Sequence, residues 1–283
     1  GLGSVIRPIS YGLEPVLRVH DSEFVCFLQT AWSEWLEAGF EGEAMPTNWP
    51  ARRMQERCPK FIEGKLGYFA MSAETSIMAG TWEAVLASKD VALTAASQVI
   101  ADARSVFALC RPPGHHAARD MYGGYCFLNN AAIAAQFILD SGLENIAILD
   151  IDFHHGNGTQ NIVQSNLEIV YVSIHQFPFY PGTGSQLEKG DYNNVLNIPI
   201  PANLDSRQYL RKFDEDVFPF HQNYQRIIMS IEEKITAQLK ENDILIYMKG
   251  SPYEPKCGFS AKTVQALIDC GAEFSFVDIL ENQ

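Results

Sequence analysis

The feature that most constrains the fold is a short apolar segment that leads directly into acidic and imidazole side chains. Residues 145–151 have the composition of a buried β-strand, and Asp150, Asp152 and His154 lie at its C-terminal end. Side chains two residues apart in an extended chain point to the same side, so Asp152 and His154 can bind one ion with Asp150 behind them. Carboxylate oxygen and imidazole nitrogen suit Zn²⁺ or Fe²⁺. The pattern therefore predicts a metal site; the alternative is a polar strand end that caps the next helix.

Apolar segments of two kinds alternate along the chain. Residues 105–110 and 168–174 are short and apolar, as buried strands are, whereas residues 21–40, 79–103 and 129–141 repeat apolar side chains at helical spacing. Strands that alternate with helices are typical of a mostly parallel sheet with helices on both faces. The sequence therefore predicts an α/β fold whose ligands bind at the C-terminal ends of the strands.

A pair of adjacent histidines follows the segment 105–110. His115 and His116 can act on a metal-bound water as general base and general acid. Each ring needs a partner on its far nitrogen to fix its tautomer, and Asp150 and Asn157 are available for that. A lone histidine pair is more often a solvated loop, but beside the acidic cluster it indicates a catalytic pair.

Charge and composition limit the partners and the location. Lysine plus arginine number 21 and aspartate plus glutamate 34, so the formal charge is −13. A field of this sign repels nucleic acid and favours a small cationic ligand, although solubility is the simpler explanation. No apolar segment reaches the roughly 18 residues of a membrane helix, which predicts that no segment spans a membrane. Six cysteines without a C-x-x-C pair favour reduced thiols in a cytoplasmic protein.

The N-terminus has neither the charged head nor the apolar core of a signal peptide. It begins with Gly1 rather than methionine, which indicates a processed, tagged or fragmentary chain. A cytoplasmic location is therefore the expectation.

Four motifs carry a resemblance to a known family. They are R-P-P-G-H-H (111–116), G-G-Y-C-F-L-N-N (123–130), D-I-D-F-H-H-G-N-G-T-Q (150–160) and S-I-H-Q-F-P-F-Y-P-G-T-G (173–184). Through them, residues 10–228 resemble the histone deacetylase and acetylpolyamine amidohydrolase family. Residues 30–68 resemble the amidohydrolase branch, in which this insertion contributes to a dimer and narrows the mouth of the active site.

The resemblance implies an arginase/deacetylase-like fold, present here in an incomplete form, with a metal centre. By position, Asp152 and His154 would bind zinc or iron, and His115 and His116 would be the catalytic pair. The third metal ligand of the family and its oxyanion tyrosine have no counterpart after residues 227–230. Two protein ligands hold zinc weakly, and loss of an oxyanion donor slows catalysis by about 10²–10³-fold, so the sequence predicts a slow or inactive deacetylase.

The same resemblance implies the surroundings of this centre. Asp150 and Asn157 would partner the two histidines, and Tyr125 and Tyr180 would line the substrate tunnel. A structural potassium site would be formed by Ser173, Ile174, Asp150, Asp152 and His154. The reaction would hydrolyse the acetyl amide of acetylated polyamines or acetyl-lysine to acetate and a free amine, through a metal-activated water. A small cationic acetylated amine would be the substrate, and a homodimer the assembly.

A second resemblance covers residues 229–283. The motifs M-K-G-S-P (248–252) and C-G-F-S (257–260) are similar to the N-terminal half of a monothiol glutaredoxin. That half would form a partial thioredoxin-like β-α-β unit. Lys249 would contact the carboxylate of glutathione, and Cys257, at a helix N-terminus that lowers a thiol pKa, would bind glutathione or a [2Fe-2S] cluster.

Two domains are therefore expected, at residues 1–228 and 229–283, both truncated relative to the families they resemble. Three functions stay open at this point. The first is a zinc-dependent amidohydrolase, the second is a glutathione-dependent iron–sulfur carrier, and the third is an inactive fusion of two incomplete domains. Zinc would identify the first, and iron with acid-labile sulfide the second.

Overall fold

The computed structural model describes residues 4–51, 57–220, 245–248, 250–256 and 258–278. Contacts between Cα atoms divide the chain into two compact units, residues 1–221 and 222–283. The predicted boundary at residues 228 and 229 lies outside the described residues, so it stays a prediction. Within the described residues, no helix is both long and apolar enough to cross a bilayer.

The three longest described helices of the first unit lie within the predicted periodic segments 21–40, 79–103 and 129–141. In the described part of this unit the helices are α1 (Glu14–Leu17), α2 (Ser22–Glu37), α3 (Ile62–Tyr68), α4 (Thr81–Ile100), α5 (Asn130–Asp140), α6 (Asn157–Val163) and α7 (Ser206–Lys212), the last followed by a π-helical turn, Phe213–Val217. Helices α4 and α5 pack against each other. Asn129 caps α5, because its side-chain oxygen accepts a hydrogen bond from the backbone N–H of Ala132.

Three parallel strands form the sheet of the first unit: β1 (Ile146–Asp150), β2 (Ile169–Gln176) and β3 (Val195–Ile200), in that order. The middle strand β2 is buried along nearly its whole length, as expected for a parallel strand covered on both faces. The register places Asp150 opposite Ser173. The predicted α/β class with a mostly parallel sheet is therefore confirmed.

An aromatic cluster fills the core beside α2 and α3. The rings of Phe27 and Phe69 stack with centroids 4.6 Å apart, and Phe24 and Tyr122 lie within 6 Å of one or other of them. All four side chains are buried. Offset-stacked and tilted arrangements such as these add to the stabilisation that burial of the rings already provides.

Two predictions of strands need correction. Residues 105–110 do not form a strand, because no described strand lies beside them to complete a ladder, and the side chains of Phe107 and Leu109 are exposed. Strand β3 was not predicted, because Asn197 and Pro199 interrupt its apolar pattern. The buried amide of Asn197 is tolerated there because it donates to Gln160 Oε1 at 2.7 Å.

The described part of the second unit contains the predicted β-α-β arrangement. Its elements are β4 (Leu245–Met248), the short hairpin strands β5 (Gly250–Ser251) and β6 (Glu254–Pro255), α8 (Gly258–Asp269) and β7 (Ser275–Asp278). Strands β4 and β7 pair in parallel, and Ile246, Met248 and Val264 form a small core. Lys249 and Cys257 lie outside the described residues, so their predicted roles stay predictions.

Candidate active site

Three elements of the first unit converge on one cluster of polar side chains. Strand β1 ends at Asp150, α6 begins at Asn157, and the loop 111–117 carries the histidine pair. The imidazole rings of His115 and His116 lie with centroids 4.0 Å apart. Together with Asp150, Asp152 and His154, both histidines line a cavity of about 990 Å³.

His115 is paired with a carboxylate. Its Nδ1 atom lies 3.0 Å from Asp150 Oδ2, which also accepts a hydrogen bond from the Tyr171 hydroxyl at 3.0 Å. Burial alone would lower the pKa of His115, but the hydrogen bond to Asp150 and the charges of Asp150 and Asp152 outweigh it, so the pKa is raised. Burial would raise the pKa of Asp150, and its hydrogen bonds, led by the one from His115, lower it instead.

His116 is paired with a neutral amide. Its Nδ1 atom lies 2.7 Å from Asn157 Oδ1, and the Asn157 amide nitrogen points to the sulfur of Met71 at 3.3 Å. Burial and the neighbouring charge of His115 lower the pKa of His116 to about 4. Gly124 makes this packing possible, since its φ is +55° and a Cβ there would lie 2.2 Å from the His116 ring.

The two predicted metal ligands lie side by side. Asp152 Oδ1 is 3.3 Å from His154 Nδ1 and 3.9 Å from His115 Nε2. The same oxygen accepts the backbone N–H of His154 at 2.8 Å, which fixes the carboxylate beside the imidazole. Among the described residues, no group of three or more His, Cys, Asp or Glu side chains is placed to hold a metal ion.

The residues predicted for the potassium site lie on neighbouring strands. Ser173 is opposite Asp150 in the register of β1 and β2, and Ile174 follows it. Both are buried, and the Ser173 hydroxyl is 2.9 Å from Nδ1 of His175. Their role as potassium ligands stays a prediction.

Tyr125 and Tyr180 both line the cavity, and their role as walls of a substrate tunnel stays a prediction. The ring of Tyr180 meets His116 edge-on with centroids 5.3 Å apart, and burial raises the pKa of Tyr180 to about 12. Tyr125 is more exposed and has φ +64°, an unusual conformation for a bulky residue, in which its N–H donates to the Thr75 hydroxyl at 2.8 Å.

Sequence reasoning missed Glu74 in the wall of the cavity. Its Oε1 atom accepts hydrogen bonds from the Tyr180 hydroxyl and the Gly124 N–H, both at 3.1 Å, and from the Ser72 hydroxyl. Burial would raise the pKa of Glu74, but these hydrogen bonds lower it, so the group is a carboxylate at neutral pH. A single glutamate in an irregular segment gives no pattern from which this position follows.

Two family models match the chain. Residues 3–231 match the family model of the histone deacetylase domain. The chain belongs to the histone deacetylase family. Residues 244–283 match the glutaredoxin family model. Both predicted resemblances are confirmed.

Several relatives of the first unit are acetylpolyamine amidohydrolases. The chain is 48% identical over 213 residues to acetylpolyamine amidohydrolase 2 of Pseudomonas aeruginosa, covering 72% of this chain and 61% of the relative. It is 49% identical over 206 residues to the acetylpolyamine amidohydrolase of Mycoplana ramosa, covering 71% and 60%. The crystal structure of the Burkholderia pseudomallei acetylpolyamine aminohydrolase superimposes with a TM-score of 0.73 at 33% identity, covering 78% of this chain and 66% of that one. The chain thus spans about 60% of the length of these curated relatives.

Proposed function

We propose that the first unit is an amidohydrolase of the deacetylase lineage that acts on small, cationic acetylated amines. The observation that carries this proposal is the histidine pair, in which each imidazole has a polar partner on Nδ1 and lies in a cavity beside Asp152 and His154. The names of the relatives, which are acetylpolyamine amidohydrolases, support the substrate class. The bond broken would be the C–N bond of an acetyl amide, and the products would be acetate and a free amine.

The family is generally zinc-dependent, and the donor set of this chain fits zinc only in part. Asp152 and His154 have the right chemistry and lie side by side. A catalytic zinc site usually takes three protein ligands, and no third donor accompanies them within the described residues. Zinc would therefore be held by an incomplete set of ligands from this part of the chain.

The two histidines are arranged for proton transfer. Because both Nδ1 atoms are occupied by Asp150 and Asn157, Nε2 is the atom of each ring left for water or substrate. Asn157 Oδ1 can only accept, so neutral His116 carries its proton on Nδ1 and has an unprotonated Nε2. His116 would take the proton of the attacking water, and His115, whose positive charge Asp150 stabilises, would give a proton to the leaving amine.

The carboxylate of Glu74 favours a substrate that carries a positive charge. Its carboxylate lines the same cavity as His115 and His116 and is held there by Tyr180 and Gly124. A carboxylate in this wall would attract the free ammonium group of an acetylated diamine, whereas a neutral acyl amide gains nothing from it. Tyr125 and Tyr180 would provide apolar walls for the carbon chain between the two ends.

The remaining cofactors and partners belong to the same proposal. Potassium would bind at Asp150, Ser173 and Ile174. A homodimer would form through residues 30–68, whose described part exposes the large apolar side chains of Leu36, Met45, Trp49 and Phe61. Light scattering during gel filtration tests the dimer, and a monomeric mass would contradict it. Glutathione or a [2Fe-2S] cluster at Cys257 stays a prediction, and no contact of a described residue favours it over the amidohydrolase.

Acetylputrescine hydrolysis tests the proposed activity. The purified full chain with added zinc is expected to release acetate about 10²–10³-fold more slowly than the Pseudomonas aeruginosa relative, since no oxyanion tyrosine is identified. Asp152→Asn is expected to abolish the release. Absence of acetate from the unaltered chain, or release that survives Asp152→Asn, would contradict the proposal, and a rate equal to that of the relative would contradict the incomplete ligand set.

A further inference from the structure

The loop that carries the histidine pair is held at both ends by two consecutive asparagines. Pro112 lies just before the pair and Ala117 just after it, and the backbone carbonyl of each accepts a side-chain amide from the start of α5. The amides belong to Asn130 and Asn129, respectively. Both asparagines bind the backbone on either side of the imidazoles, so their effect on the rings passes through the loop.

Asn129 is fully buried and uses both ends of its side chain. Its Nδ2 atom donates to the Ala117 carbonyl at 3.0 Å and to the Thr159 hydroxyl at 3.1 Å, while its Oδ1 atom caps α5. The backbone N–H of Thr159 in turn donates to the carbonyl of His115 at 3.0 Å. One side chain therefore ties the C-terminal end of the loop to both α5 and α6.

Asn130 binds the N-terminal end of the loop in the same way. Its Nδ2 atom lies 3.2 Å from the Pro112 carbonyl and 3.0 Å from the Ser88 hydroxyl, and Ser88 itself donates to the same carbonyl at 2.7 Å. Gly114 allows α5 to approach the loop this closely, because a Cβ there would lie 2.6 Å from the backbone nitrogen of Asn130. The loop thus has no room to shift toward α5.

Only an amide satisfies this arrangement at residue 129. The side chain must donate two N–H bonds and also accept the helix-capping bond, which a carboxylate or a hydroxyl cannot do. Aspartate would still cap α5 but would place an oxygen against the Ala117 carbonyl. The substitution Asn129→Asp therefore keeps the cap of α5 but removes the hydrogen bond that holds the loop at Ala117.

We propose that Asn129 and Asn130 are positioning residues that fix the His115–His116 loop so that the imidazoles meet Asp150 and Asn157. Their importance for catalysis rests on the proposed amidohydrolase function. The two imidazole hydrogen bonds themselves exist in the protein whether or not it turns over a substrate, so their geometry can be tested without an activity.

Nuclear magnetic resonance of the full chain provides this test through the Nδ1–H signals of His115 and His116. Both signals are expected in the unaltered protein, protected by Asp150 and Asn157. Asn129→Asp is expected to abolish or broaden at least one of them. The matched control is Asn194→Asp, which makes the same change at another fully buried asparagine that donates to three carbonyls, those of Val163, Asn166 and Ile169.

Loss of a signal in Asn129→Asp but not in Asn194→Asp, at comparable thermal stability, supports the proposal. Unchanged signals in Asn129→Asp, or equal losses in both variants, overturn it. If Asn129→Asp does not fold, Asn130→Asp removes the amide donor to the Pro112 carbonyl and is expected to broaden the His115 signal; a sharp, unshifted signal overturns the proposal. Acetate release measured on the same samples tests the proposed function separately.

Discussion

Nδ1 of His116 lies 2.7 Å from Oδ1 of Asn157, whereas the adjacent His115 faces the carboxylate of Asp150 at 3.0 Å. Two neighbouring imidazoles therefore have partners of different charge. The carboxylate outweighs burial and raises the pKa of His115, and the neutral amide does not offset burial, so the pKa of His116 falls to about 4. Unequal partners move the pKa values of two chemically similar rings in opposite directions, which is the arrangement that suits one ring to act as acid and the other as base.

Replacement of Asn157 tests this pairing. Asn157→Leu leaves the Nδ1–H of His116 without an acceptor in a residue that is only 3% exposed. An unsatisfied buried donor costs about 1–3 kcal/mol, so the free energy of unfolding in urea is expected to fall by that amount. Acetate release is expected to fall by up to about 10²-fold, the lower end of what a general base contributes.

Asn157→Asp is the matched control, because it keeps an oxygen acceptor at the same position. It is expected to retain most of the stability that Asn157→Leu loses. It also places a negative charge beside His116 and so is expected to raise the pKa of that ring, which a titration followed by nuclear magnetic resonance measures. Equal destabilisation by both replacements would mean that the hydrogen bond to His116 contributes nothing.

Glu74→Gln tests the recognition of a cationic substrate. The replacement keeps the hydrogen-bonding oxygen that Tyr180 and Gly124 use, but it removes the charge in the cavity wall. A hydrogen bond to a charged group contributes about 1–2 kcal/mol to substrate binding at a partly exposed site. Its loss is therefore expected to raise the KM for acetylputrescine about 5–30-fold. N-butylacetamide, which lacks the ammonium group, is the control, and an equal rise of its KM would contradict a role in charge recognition.

The metal-site strand was predictable because the information for it is local. Apolar residues end at Asp150, where β1 also ends, and the polar side chains follow directly. The chain bends at residues 152–154 instead of staying extended, and the His154 N–H bonded to Asp152 Oδ1 brings the two side chains together, with Oδ1 and Nδ1 3.3 Å apart. Helices α2, α4 and α5 were predictable for the same reason, since each repeats its apolar side chains at helical spacing within one segment. The residues on which these predictions depend are close neighbours in the chain.

The features that sequence reasoning missed depend on contacts between distant segments. Glu74 and Tyr180 are 106 residues apart in the chain, and only the folded cavity brings the carboxylate to the phenol. Strand β3 contains Asn197, whose buried side-chain amide donates to Gln160 on α6 and to the backbone carbonyl of Glu188, both distant in the chain. Residues 105–110 had the composition of a strand, but a strand also needs a paired neighbour, and no described segment supplies one.

His20, a buried histidine outside the catalytic pair, is expected to make the fold sensitive to acid. His20 accepts the backbone N–H of Asn129 on Nε2 at 2.9 Å, and burial, only partly offset by the carbonyls of Arg119 and Ala118, lowers its pKa to about 4. The folded state therefore holds His20 neutral, while the unfolded chain takes up a proton below about pH 6.5. The stability that depends on neutral His20 is complete above about pH 6.5 and is lost as the pH falls toward about 4.

Urea unfolding across that pH interval measures the effect. His20→Gln keeps a neutral donor and acceptor but cannot titrate, so its free energy of unfolding is expected to fall less steeply between about pH 6.5 and pH 4. Other buried histidines with lowered pKa values, such as His155, contribute to both proteins and cancel in the comparison. Identical slopes for the two proteins would show that His20 is not buried in its neutral form.

The ion pair of Lys89 and Asp90 predicts a large loss of stability from a single charge change. Lys89 is fully buried on α4, with Nζ 2.5 Å from Asp90 Oδ1 and 2.6 Å from the carbonyl of Tyr11. Asp90→Asn leaves this buried ammonium without its counter-charge, which is expected to cost about 3–5 kcal/mol of unfolding free energy. Asp140→Asn, which breaks the exposed pair with Arg18, is the matched control and is expected to cost at most about 1 kcal/mol.

The double variant Lys89→Met with Asp90→Asn distinguishes removal of the whole ion pair from removal of one partner. Because it removes the charge that Asp90→Asn leaves uncompensated, it is expected to be more stable than Asp90→Asn alone. Both replacements keep side chains of similar size, and the amide oxygen that Asp90→Asn introduces would still accept the N–H of Tyr11, which Asp90 binds at 2.9 Å. A double variant whose loss of stability equals the sum of the two single losses would mean that Lys89 and Asp90 contribute independently of each other.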